Sequence, residues 1–162
     1  MSMNEAVTRP ATPGSPAPDF RVVQLNASFE TFGVLVDFLS RIDPFTKYDI
    51  GNFCQALRRQ IGDGNHVAAL SNRKLIGYCG WLPTKTAIAA AWVDNSGPLT
   101  PARSGESDAV ALTVVAASDR RVLMSLIRRA RKLNPQRRVF FKRDYRGNAR
   151  PARKSSVQNV AT

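Results

Sequence analysis

Between residues 29 and 42 the apolar positions Phe29, Phe32, Leu35, Val36, Leu39 and Ile42 recur every three or four residues, the period of an amphipathic helix. Ser28 stands where such a helix would be capped, and Asp43-Pro44 ends it. A second run, Ile50, Phe53, Cys54, Leu57 and Ile61, falls on one helical face and predicts a helix from near Asp49 to Ile61. Gly62-Asp63-Gly64-Asn65 stops it. The connection RIDPFTKYDI (41–50) packs a proline, two aromatics and several charges into a short link. Two readings stand side by side: it anchors the turn by packing, or it lines a site.

Elsewhere the pattern changes to that of strands. FRVVQL (20–25) predicts a first strand. HVAALS (66–71) and KLIGYCGW (74–81), joined by Asn72-Arg73, predict a hairpin with a tight turn. Gly77 and Gly80 inside its second strand mark a bulge or a close approach by another group. KTAIAAAWV (85–93) reads as strand or short helix, and the order of the sheet favours a strand. Residues 94–107 form a polar, Pro/Gly-rich loop. A buried strand at 108–117 leads to a helix capped by Ser118 and running to about Leu133. Its inner face carries Val122, Leu123, Leu126, Ile127 and Ala130, its outer face Arg121, Arg128, Arg131 and Lys132. Asn134-Pro135 stops it, 137–145 is a further strand, and 149–157 begins a last edge strand after a turn at 146–148. The order is that of an α/β protein with helices on a mixed, strongly twisted sheet. Residues 1–18, with prolines at 10, 13, 16 and 18, read as a disordered arm. Residues 19–155 form a single domain, and 156–162 a flexible tail.

Charge changes the picture. The last 44 residues hold 14 Lys or Arg and two acids, whereas the first 118 hold ten of each sign; the whole net charge of +12 therefore lies in the C-terminal part. Such asymmetry fits an acidic partner, whether nucleic acid, an anionic membrane surface or an acidic protein, or else a solvated face with a basic tail. No apolar run approaches a membrane span and no signal segment opens the chain, so a cytoplasmic location is expected. One histidine, His66, and two cysteines, Cys54 and Cys79, without clustered carboxylates, argue against a zinc site.

Candidate chemistry is sparse. No Walker A loop, GxGxxG, GxSxG or HExxH occurs. The junction of strand 108–117 with the next helix offers a helix N-terminus, which binds anions through free amides and the helix dipole. The turn AASDRR has no glycine to admit a phosphate closely. Asp119 stands in the anion position, with Ser118, Arg120, Arg121 and Arg128 near or beyond it as donor-binding candidates.

The order of elements resembles the GNAT-type acyltransferase fold, an α/β fold whose mixed twisted sheet carries helices on both faces. The helix 49–61 followed by HVAALSNRKLIGYCGW (66–81) is similar to the RTX-toxin-activating lysine acyltransferases, which share that fold. There a Tyr-Cys-Ser-Trp sequence stands where this chain has Tyr78, Cys79, Gly80 and Trp81. The resemblance covers about three-quarters of the chain. It implies transfer of a fatty acyl group from acyl carrier protein, or another thioester such as acyl-CoA, to lysines of a protein acceptor, with no resident cofactor. Two departures qualify it. The family's catalytic histidine lies in a Ser-Pro-Leu-His turn matched by Asp43, Pro44, Phe45 and Thr46, so threonine replaces it. The family's catalytic aspartate corresponds to about Leu112 and Thr113, where no carboxylate stands. Thr46, Tyr48, Asp49 and His66 are the residues nearest to replacing them.

Three functions follow. The first is an acyltransferase with an altered site, its basic helix docking an acidic acyl carrier protein. The second is a catalytically inactive relative kept as a binding or regulatory module, with a homodimer as one arrangement. The third, less favoured, is a nucleic-acid-binding protein using Phe140, Phe141 and Tyr145 among the basic residues of the C-terminal third.

Overall fold

The computed structural model describes residues 19–103 and 105–142 and the backbone of 154–158. Strand β1 (Arg21–Val23) is followed by α1 (Phe29–Leu39), a 3-10 turn (Phe45–Lys47) and α2 (Ile50–Gly62). The hairpin β2 (His66–Ser71) and β3 (Lys74–Thr84) leads to α3 (Thr86–Val93). Then come β4 (Ala109–Ala117), α4 (Arg120–Leu133), β5 (Arg138–Lys142) and β6 (Lys154–Gln158). Among the described residues six strands form one sheet in sequence order, antiparallel throughout except that β4 and β5 run parallel. Asn72 and Arg73, at φ 47° and 64°, give the hairpin the twist-matched two-residue turn that its sequence predicts.

The helices divide between the two faces. Val122, Leu126 and Ala130 of α4 pack with Cys79, Trp81, Val110, Leu112 and Val139 on one face. Leu35 and Leu39 of α1 and Leu57 and Ile61 of α2 pack with Ala68, Tyr78, Val114 and Ala116 on the other. Both glycines of β3 are points of close approach. A Cβ on Gly77 would lie 2.7 Å from Val122 of α4, and one on Gly80 would lie 2.0 Å from the Gln60 side chain of α2.

Strand β4 is irregular at one place. Gly80 pairs with Val114 and Trp81 with Leu112, so Thr113 is an extra residue opposite β3. Regular alternation would put Leu112 and Val114 on one face. Instead Leu112 belongs to the α4 side and Val114 to the α1/α2 side, as a bulge requires.

Three expectations are corrected. Residues 86–93 are helix, not strand: alanine is the best helix former, and the segment packs Ala89 and Val93 on Ala109 and Phe140. The cap of α4 is Asp119 rather than Ser118; its carboxylate accepts from the Val122 N–H at 2.9 Å. Phe29 and Ile50, at the first positions of α1 and α2, are 93% and 72% exposed and add nothing to the core. The arm assigned to 1–18, the turn 146–148 and Tyr145 lie outside the described residues. Among the described residues no helix is long and apolar enough to cross a membrane.

Candidate functional site

Among the described residues the parallel strands β4 and β5 pair from Ala109 opposite Arg138 to Leu112 opposite Phe141. A groove of about 480 Å³ lies at the end of this pairing, within the range of small-molecule sites. Leu112, Thr113 and Val115 of β4 form one wall and Phe141 and Lys142 of β5 the other. Leu123 and Ile127 of α4 close one side; Pro44, Phe45 and Tyr48 of the α1–α2 connection close the opposite one. The connection thus does both things its sequence allows. Phe45 is buried and stacks on Phe53 at 5.7 Å, with Tyr48 edge-on to both rings at 5.5 and 5.6 Å. The same Phe45 and Tyr48 face the groove.

The four residues proposed for catalysis are not gathered there. Tyr48 lines the groove and is 40% exposed. Thr46 is exposed and turns its hydroxyl to Asp43 at 2.6 Å. Asp49 caps α2 by accepting from the Asn52 N–H at 2.9 Å. His66 is fully buried. Its Nε2 accepts from the Leu25 N–H at 2.9 Å, which leaves Nδ1 to donate to the Gln60 carbonyl at 3.1 Å. Burial lowers its pKa below the ordinary value, so it is held as a neutral structural group.

The donor candidates sit around α4. The Ser118 N–H donates to the Ile76 carbonyl at 2.9 Å. Arg120, Arg121 and Arg128 are exposed, and Arg121 lies over the Phe20 ring at 5.6 Å. None of them lines the groove; α4 offers it only the apolar Leu123 and Ile127. At the β5 wall, the Lys142 ammonium donates to the Asn95 side chain and to the Trp92 carbonyl at 3.4 Å. That ties the end of α3 to the groove.

A buried polar chain that the sequence pattern did not single out runs beneath the β4 bulge. Gln60 of α2 is 4% exposed. Its Oε1 accepts from the Tyr78 hydroxyl at 3.1 Å, and its Nε2 donates to Thr113 Oγ1 at 2.7 Å. Gly80 is the reason this amide fits. The available signal was that glycine, marking a close approach, together with a glutamine beside the apolar stripe of α2.

Two solved structures share this architecture. The loading GNATL domain of CurA from Lyngbya majuscula superposes with a TM-score of 0.57 at 11% identity, over 80% of this chain and 69% of that one. A mosquito arylalkylamine N-acetyltransferase like 5b superposes with a TM-score of 0.55 at 12% identity, over 76% of each chain. The sequence itself matches no family model and no curated protein. The chain therefore has a GNAT-type α/β fold.

Proposed function

We propose that the chain is an acyltransferase-type protein that takes an acyl thioester in the groove between β4 and β5. The observation that carries this reading is a largely apolar groove at the end of the β4–β5 parallel pairing in a GNAT-type fold. A slender, mostly uncharged pantetheine arm suits such a slot. The exposed arginines of α4, Arg120, Arg121, Arg128 and Arg129, support an acidic carrier protein as the donor, by complementary charge. Coenzyme A carries phosphates that a helix N-terminus would bind. At α4 Asp119 already fills that end, and a carrier-bound arm, with its single phosphodiester, brings less phosphate to it than coenzyme A does.

Transfer to an amine forms a C–N bond and breaks the C–S bond; the amine gives up a proton and the departing thiolate takes one. Among the described residues lining the groove there is no histidine and no carboxylate. A lysine amine, with an ordinary pKa of about 10.4, must then arrive already deprotonated. Transfer without a base should be slow at neutral pH and rise about tenfold per pH unit towards that value. The same absence favours a second reading, in which the thioester is held and not turned over.

The test is incubation with acylated carrier protein, with acyl-CoA and with a lysine-bearing peptide, followed by mass spectrometry of all components. Binding of the carrier with acylated peptide supports the transferase. Binding without product supports the binding module, and binding of neither donor overturns both. The nucleic-acid alternative has less support, because Phe140 is buried against α3 and Phe141 faces the groove. Salt-sensitive binding of an oligonucleotide would revive it.

A further inference from the structure

We propose that the Thr113 hydroxyl is the hydrogen-bond donor to the carbonyl oxygen of a thioester lying in the groove, and that Gln60 and Tyr78 position it. This rests on the groove being a thioester site. The direction of each hydrogen bond follows from burial. Tyr78 is fully buried and its hydroxyl meets Gln60. Burial also pushes its pKa well up, so it keeps its proton. A buried donor left unpaired is costly, so the Tyr78 O–H must donate, and Gln60 must present Oε1 to it. The amide is thereby oriented, and Nε2 faces Thr113 Oγ1 at 2.7 Å. An amide nitrogen only donates. Thr113 oxygen therefore accepts, and its own proton is not used by this bond. Among the described residues nothing accepts that proton.

Thr113 is also the residue that the bulge adds to β4. It follows Leu112, the last residue of β4 paired with the described part of β5, and lines the groove. A donor fixed in place and already polarised by a chain of hydrogen bonds stabilises negative charge developing on a carbonyl oxygen better than a mobile one. The hydroxyl thus performs the opposite task to a carboxylate at this place: it donates to the carbonyl rather than taking a proton from the amine.

The test compares two ligands, octanoyl-pantetheine and its thioether S-octyl-pantetheine, which lacks the carbonyl oxygen, by titration calorimetry. Wild type should bind the thioester more tightly. Thr113→Val should weaken the thioester by about three- to tenfold and leave the thioether unchanged; Thr113→Ser should restore the difference. Gln60→Leu and Tyr78→Phe should reduce the same difference, which a merely structural role would not single out. Equal losses for both ligands, or no loss in Thr113→Val, overturn the proposal while the groove reading stands. If wild type binds neither ligand, the groove reading fails and the proposal with it. Far-UV spectra and melting curves of each variant verify that it is folded.

Discussion

The Gly80→Ala substitution puts one methyl group where the fold has no space for it. Its Cβ would lie 2.0 Å from Gln60 Oε1, 2.5 Å from Cδ and 2.9 Å from Nε2. Gln60 is almost fully buried, so its amide cannot swing into water. It must leave both partners, Tyr78 at 3.1 Å and Thr113 at 2.7 Å. A buried Tyr78 hydroxyl without an acceptor costs about 1–3 kcal/mol, and a displaced amide costs a similar amount. Replacing glycine by alanine within a strand returns about 0.5–1 kcal/mol. The net loss is about 2–4 kcal/mol, or about 5–15 °C in Tm for a domain of this size. Urea and thermal denaturation followed by circular dichroism measure it. The cause is isolated by repeating Gly80→Ala in a Gln60→Ala background, where the methyl group has space and the substitution should cost little or be favourable. Equal cost in the two backgrounds, or a Gly80→Ala variant as stable as wild type, would refute the reasoning.

Other consequences can be checked separately. His66 is held below its ordinary pKa of 6.5 by burial, so below that value the unfolded chain takes up a proton that the folded chain does not. Its contribution to stability is complete above about pH 6.5 and declines as pH falls towards the lower folded pKa. His66→Gln should flatten the urea midpoint between about pH 5 and 7, and an unchanged profile would count against a neutral buried ring. Asp108, lowered chiefly by the Thr86 N–H, acts only below its ordinary value of 3.8, outside that window. Burial pushes the Cys79 thiol up to about 12, so alkylation of the native protein at about pH 8 should stop at one adduct, on Cys54; a second adduct without unfolding would contradict the burial. Thr46→His should raise lysine acylation at neutral pH by about 10²- to 10⁴-fold if a base is all that is missing. A folded Thr46→His protein that binds donor but gains no activity would show that the turn does not reach the reacting atoms.

Helix positions were legible wherever one face was strongly apolar. The bounds of α2 lie within a residue of expectation, and the β2–β3 hairpin follows its turn residues. Residues 86–93 misled because they are apolar nearly all round, which removes the periodicity that separates helix from strand; alanine content was the better guide. At the α4 cap, two adjacent residues of capping type, Ser118 and Asp119, cannot be told apart without the backbone. The site was half legible. The proline and aromatics of 44–48 pointed to a lined connection, and Tyr48 does line the groove. His66 drew attention as the sole histidine, although a ring whose two nitrogens both serve the backbone is visible only in three dimensions. Gln60 escaped because its importance depends on Thr113, 53 positions away.

The extra residue in β4 has a bearing on how such a protein changes over generations. On either side of Thr113 the alternation of Leu112, Val114 and Val115 is that of one uninterrupted strand once Thr113 is left out. Loss of its single codon would restore an ordinary strand and leave every core side chain in its layer. Only the partner of Gln60, one polar residue of the groove wall, would go. A lineage could therefore discard or regain this corner of the groove in one genetic event, with the scaffold inherited intact.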